Sequence, residues 1–266
     1  IEVIRQSCTY GIPIQACSLP TAGANAPVTI PGAVLMAGAE VLAMVIIAQI
    51  IAPGTPVIAT PLLFAMDMMS TYTLQSPIEV TMGRMAAMQL FTEGYGIPAH
   101  TYGAGTDSFL LDGQSMIERT SISQMVALSG ADILGGAGQI EVAKTISPIQ
   151  LIIDNDIFEM TKRLKAGFVI DDEMLGWNEV LGLTGREAFI AMEHTFRHYR
   201  DVFRPAIFIR ESRPAWVEKG SKDLIDRAKD LFQSFKNKYE PVDLSPEILK
   251  EMDKIIKEAD NELVHK

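Results

Sequence analysis

Short apolar runs at residues 12–18, 56–60, 97–102 and 132–135 recur along the first half of the chain, each bounded by glycine, proline or polar loops. Runs of that length read as strands of a parallel sheet covered on both faces. Longer stretches between and after them read as helices, at 31–51, from 77 onward, at 112–129 and at 148–166. Their ends carry the expected punctuation. Ser76, Pro77 and Glu79, and again Ser147, Pro148 and Gln150, set a hydroxyl before a proline with Glu or Gln three positions on, the spacing of a capping box. Pro53-Gly54 and Gly167 are the corresponding stops.

Strand, loop and helix in repetition predict an α/β fold: the C-terminal portion of a (β/α)8 TIM-type barrel, with about four β/α units. A complete barrel takes ~250 residues of such repeats. This chain of 266 residues stops short of eight of them and begins at Ile1, so a truncated form or fragment is expected. Residues 1–203 are assigned to the barrel part and 204–266 to a helical tail packed on it. In the later region Thr184 and Glu187 predict the cap of a helix bearing His194 and His198, and charged helical runs follow at 222–238 and 246–265.

The run from 30 to 52 is nearly continuous in apolar residues and about long enough to span a bilayer. Glu40 in its middle would cost roughly 2.5–3.5 kcal/mol there. A buried barrel helix is therefore favoured, with Glu40 a satisfied carboxylate, and no membrane association is expected. The formal charge of −10 disfavours a protein that tracks nucleic-acid phosphates. Two cysteines, Cys8 and Cys17, neither build a disulfide scaffold nor show zinc-ribbon spacing, which points to a reducing, cytoplasmic setting.

In parallel barrels the chemistry sits on the loops that follow the strands. Thr106, Asp107, Asp112 and Gln114 follow the strand that ends at Tyr102, with His100 two residues earlier on the same side. Asp112 fits a helix cap equally well. Gly135, Gly136 and Gly138 with Gln139 follow the next strand and offer backbone room for a large ligand or a cradle for phosphate. They lack the lysine and spacing of a phosphate-binding loop. Gln15 and Ser18, at the end of the first strand, are expected at the same mouth. His194 and His198 have a metal-compatible spacing but not the adjoining Glu of a zinc protease motif. Packing or an interface is the reading preferred for them, and no metal is assigned.

These motifs, in order, resemble the trimethylamine methyltransferase family of corrinoid-dependent enzymes. The resemblance rests on Ile12-Pro13-Ile14, Ala22-Gly23-Ala24, Pro27-Val28-Thr29, Ala39-Glu40-Val41-Leu42, Pro53-Gly54-Thr55-Pro56, Gly96-Ile97-Pro98, Thr106-Asp107-Ser108 with Asp112 and Gln114, Gly130-Ala131-Asp132 with Gly135 and Gly138, and His194-Thr195 with His198 and Arg200. It implies an eight-fold barrel about twice as long as this chain. It also implies methyl transfer to a cobalt corrinoid carried by a separate corrinoid protein, and a homo-oligomer. Trimethylamine enzymes of the family contain pyrrolysine; no such letter occurs here, which points by resemblance to the branch acting on quaternary amines such as glycine betaine.

A quaternary ammonium has no N–H to bind, so aromatic faces would recognise it. Phe64, Tyr72, Tyr102 and Phe109 are the candidates, with Tyr102 foremost and core packing the competing role for each. On this reading Asp107, Tyr102 and His100 serve catalysis, and Phe64, Phe109, Thr106 and Gln15 hold substrate. Gly135, Gly136, Gly138, Gln139 and Ser18 face the corrinoid. Arg84 or His100 would meet a substrate carboxylate, although Arg84 falls within a predicted helix. A phosphate-binding barrel lyase or isomerase, and a non-catalytic half barrel for assembly or corrinoid docking, are the alternatives.

Overall fold

A computed structural model describes residues 1–185, 188–241 and 243–263. The fold is mixed α/β, with small sheets and no closed barrel among the described residues. By its contacts the chain divides into Ile1–Lys229 and Asp230–Lys266.

The first unit opens with α1 (Glu2–Tyr10), a helix the sequence reading did not contain. Four parallel strands follow in chain order, each followed by a helix: β1 (Ile14–Ser18) by α2 (Ile30–Ile51), β3 (Val57–Pro61) by α3 (Ile78–Gln89), β6 (His100–Tyr102) by α4 (Gly113–Leu128), and β7 (Ile133–Gly135) by α5 (Pro148–Ala166). β1 pairs with β3, a bridge between Ala59 and Ala99 joins β3 to the segment entering β6, and β6 pairs with β7. Three short strands, β2 (Thr21–Ala22), β4 (Phe64–Met66) and β5 (Thr73–Leu74), form a side sheet. β8 (Gln139–Ile140) and β9 (Thr145–Ile146) form a hairpin before α5.

The core explains why the helices lie where they do. Ala16, Ala59 and Ala99 present one small side chain per strand to Val41 of α2, Met88 of α3, Phe91, and Ile122 and Val126 of α4. Alanines let the helices approach, and each large side chain buried against them contributes roughly 1.5–3 kcal/mol. α2 turns Ala33, Ala37, Gly38, Val41 and Ala48 inward and leaves Leu35, Ile46 and Ile50 exposed. It is long and apolar enough to cross a membrane by length and composition, yet it packs on β1 and β3. Glu40 on it accepts a hydrogen bond from the Ser18 hydroxyl at 2.5 Å.

Of the expected helix caps, those at Asp112 and Ser147 form. The Asp112 carboxylate accepts from the Ser115 amide at 2.9 Å, and the Ser147 hydroxyl accepts from the Gln150 amide at 3.2 Å. Ser76 does not cap α3, which starts one residue later than its proline predicts; its amide donates to Asp107 instead, at 3.2 Å. The helix with His194 and His198 runs Glu193–His198, shorter than expected, and Glu187 lies outside the described residues, as does His265. In the second unit the last helix, Pro246–Leu263, buries none of its residues.

Arg119 of α4 and Asp154 of α5 form an ion pair at 2.6 Å with both side chains fully buried. Asp154 also accepts from the Gly138 amide at 2.7 Å and the Gln150 side chain at 2.9 Å, while Arg119 donates to the Gln139 carbonyl at 2.7 Å. Burial pushes the Asp154 carboxyl upward, and the guanidinium with these donors opposes that shift. Removing one partner strands the other charge, so Asp154→Ala and Arg119→Met are each expected to cost about 3–5 kcal/mol in denaturant unfolding. A loss below about 1 kcal/mol for both would show that the pair does not hold α4 to α5.

Candidate functional site

Side chains alternate along a strand, so the sheet has a packed face and an open one. On β1, Ile14, Ala16 and Ser18 are buried, whereas Gln15 and Cys17 are exposed on the opposite face. His100 reaches Gln15 across the sheet: the Gln15 amide nitrogen lies 3.1 Å from His100 Nδ1. An amide nitrogen only donates, so Nδ1 accepts and the neutral ring keeps its proton on Nε2. Burial lowers the His100 pKa from its ordinary value, which keeps the ring uncharged near neutrality.

Gly135 explains how the ring fits. A Cβ at that position would sit 2.3 Å from His100 Nε2, so the imidazole occupies the space that the glycine vacates. Gly136 has φ +85°, and a Cβ there would meet the Ala104 carbonyl at 2.3 Å and the Tyr102 ring at 3.0 Å. Gly138 donates to buried Asp154. The room expected of Gly135 and Gly136 for a large ligand is thus filled by the protein's own His100 and Tyr102. The Gly138 amide that a phosphate would need is committed to a carboxylate. Gln139 turns inward too, accepting from the Gln75 amide at 3.3 Å.

Beside His100 the Tyr102 ring meets Phe64 edge-on, with centroids 6.1 Å apart. Arg84 lies behind both rings, its guanidinium carbon 5.8 Å from each centroid. It is fully buried on α3 and donates through Nη2 to the Leu63 carbonyl at 2.8 Å. Its Nε and Nη1 find no hydrogen-bond partner among the described residues. Desolvation brings its pKa down to about 10, so it remains a cation at neutral pH. Its position within a helix gave no sign of this neighbourhood, because the rings come from β4 and β6.

The loop after β6 is tied down by carboxylates. Asp107 accepts from the amides of Gln75 at 2.7 Å and Ser76 at 3.2 Å, using both oxygens. Burial raises its pKa, with those amides acting against the rise. The Thr106 hydroxyl is fully buried and donates to Glu118 at 2.5 Å, and the Asp107 amide donates to the same Glu118 oxygen at 3.0 Å. Glu118 was not singled out from sequence; its place one turn beyond Gln114, which donates to it at 2.9 Å, is the signal that could have found it.

The open face therefore gathers Gln15, His100 and Tyr102, with buried Phe64 packed against Tyr102. Ser18 is on the packed face, turned to Glu40, and Thr106 is closed off by Glu118. Phe109 is 63% exposed on the loop, with no ring contact to Phe64 or Tyr102. Strand alternation accounts for Ser18 and a local carboxylate for Thr106.

A family model described as "Trimethylamine methyltransferase (MTTB)" matches residues 1–263. The trimethylamine methyltransferase MttB of Methanosarcina barkeri (strain Fusaro / DSM 804) is 30% identical over 261 residues, which are 97% of this chain and 52% of that protein. MttB of Desulfitobacterium hafniense (strain DSM 10664 / DCB-2) is 29% identical over 262 residues, covering 98% of this chain and 52% of its own length. A glycine betaine methyltransferase of Desulfitobacterium hafniense (strain Y51) is 29% identical over 234 residues, covering 87% and 48% respectively. The chain spans about half the length of these curated relatives.

His100 supplies a check on the geometry. Its folded pKa is lowered, so between that value and the ordinary 6.5 the unfolded chain binds more protons, and stability should rise as pH climbs through this window. Proton NMR should place the His100 transition below the ordinary value, and His100→Gln should remove this part of the slope. A transition at or above 6.5 would contradict the burial shown.

Proposed function

The chain belongs to the trimethylamine methyltransferase family, and from that premise we propose that it supplies the amine-binding part of a methyltransferase. The donor is a quaternary amine such as glycine betaine, and the acceptor is a cobalt(I) corrinoid carried by a separate protein. The observation that carries this reading is the open sheet face on which Gln15, His100 and Tyr102 stand together beside Phe64. Four parallel strands in chain order, each followed by a helix, support placing that face inside a (β/α)8 barrel as its C-terminal arc. The free cysteines Cys8 and Cys17 fit a cytoplasmic setting.

The chemistry asks little of the protein beyond placement. A quaternary nitrogen is permanently cationic and leaves as a neutral tertiary amine, so no proton need be delivered to it. The corrinoid, when docked, supplies the nucleophile. The Tyr102 and Phe64 rings offer π faces to the ammonium, worth about 0.5–2 kcal/mol each. Gln15 and His100 fix the floor beside them. A neutral His100 avoids repelling a cation, which suits the lowering of its pKa by burial.

Arg84 favours a donor that bears its own negative charge. A cation 5.8 Å behind both rings opposes a bare quaternary ammonium at their far face, whereas a zwitterion brings a carboxylate to offset it. This supports glycine betaine over tetramethylammonium. His100 fills the space beside Gly135, and the Ala104 carbonyl and Tyr102 that beside Gly136, so the open face is where the corrinoid would approach.

Methylation of cob(I)alamin, followed by its visible spectrum with the polypeptide as its gene encodes it, tests the reading. Glycine betaine should react at least about tenfold faster than tetramethylammonium, and Arg84→Met should narrow that ratio. Tyr102→Ala should lower turnover on the order of tenfold. No methyl transfer from any quaternary amine would reject the function; transfer unaffected by Tyr102→Ala would reject the site.

A further inference from the structure

Apart from the sheet face, ligand-type side chains converge where the chain has least core of its own. From 167 to 206 the one buried residue among those described is Gly176, and Phe168, Val169 and Ile170 stand exposed. A segment without apolar burial needs another source of order, and small folds commonly use a metal ion for it. In that segment Glu173, His194 and His198 bring one ligand atom each to within 4.8 Å of one another. The histidines are one turn apart on Glu193–His198, with ring centroids 4.6 Å apart.

A neutral His198 ring cannot satisfy both of its contacts at once. Nδ1 lies 2.7 Å from Asp201 Oδ2, and Nε2 lies 3.0 Å from Glu173 Oε1. Both oxygens only accept, so a neutral ring, with a single N–H, satisfies one of them. The other contact calls for a second proton or a metal ion. With Asp201 holding the proton on Nδ1, Nε2 is the ligand atom, the carboxylate–histidine arrangement that orients metal sites. His194 is prepared in the same way: its Nε2 donates to the Glu173 carbonyl at 2.8 Å, which leaves Nδ1 with a free lone pair. Arg197 contacts Glu173 Oε1 at 2.6 Å and holds the carboxylate in place. Glu173 and Asp201 against Arg197 leave one net negative charge to meet a divalent ion.

We propose that Glu173, His194 and His198 bind a divalent transition-metal ion, for which zinc is the best fit. Two imidazoles and a carboxylate suit its preference for nitrogen and oxygen donors in tetrahedral geometry, with solvent in the fourth position. The ion fastens the loop before Trp177–Leu181 to Glu193–His198 and is independent of the methyl-transfer reading.

The test is calorimetric titration of zinc into the chelator-stripped polypeptide at about pH 8, where protons compete least. One saturable site per chain is expected. His194→Ala and His198→Ala should weaken it about 100-fold or more, and Asp201→Asn about 10-fold or more. Cobalt(II) in the unaltered protein should give the visible absorption of a tetrahedral site, a readout that holds even if a variant fails to fold. No saturable uptake, no tetrahedral cobalt spectrum, or binding unchanged in both histidine variants (an adventitious ion only) would overturn the site.

Discussion

Alternation of side chains along β1 and β6 is the constraint on which the rest of this structure depends. One face of the sheet is given to packing: Ala16, Ala59 and Ala99 are small enough for α2, α3 and α4 to lie close, and the larger apolar groups come from the helices. The other face is left to chemistry, since Gln15, His100 and Tyr102 cannot point toward the helices without breaking the register. A single-residue slip would exchange the two faces. The same rule assigns Ser18 to the packing side, where its hydroxyl reaches Glu40 instead of a ligand.

Buried charge holds the loops against that frame. Asp107 takes the amides entering α3, Glu118 takes the loop after β6, and Asp154 with Arg119 takes the turn after β7. Each carboxylate satisfies backbone donors that would otherwise be unpaired away from water. The consequence for function is subtractive. Residues that look reactive in the loops are already occupied, and the groups left free to meet a ligand are the ones on the strands. Arg84 is the exception, a cation without a matching carboxylate at contact distance among the described residues, and its field reaches the two rings in front of it.

The four parallel strands and their following helices were legible in the sequence because buried strands and capped helices leave strong local marks. The Ser147-Pro148-Gln150 start and the Gly167 stop are examples. The Ser76 box failed because a carboxylate thirty-one residues away competes for the same turn, and no local pattern carries that information. The grouping of Gln15, His100 and Tyr102 was foreseeable from strand ends and a spacing of two. The place of Arg84 behind the two rings, Glu118 and the Arg119–Asp154 pair were not, since each depends on elements distant in sequence meeting in space. Gly135 and Gly136 offer less space to a ligand than their sequence suggests, since His100, the Ala104 carbonyl and Tyr102 lie where their side chains would be.

The account turns on whether a methylated ammonium rests against the Tyr102 and Phe64 rings. Intermolecular proton NOEs from the N-methyl groups of glycine betaine to the polypeptide measure this directly. The account predicts contacts to the ring protons of Tyr102 and Phe64 and to the imidazole of His100. Binding with N-methyl contacts confined to other side chains would contradict it.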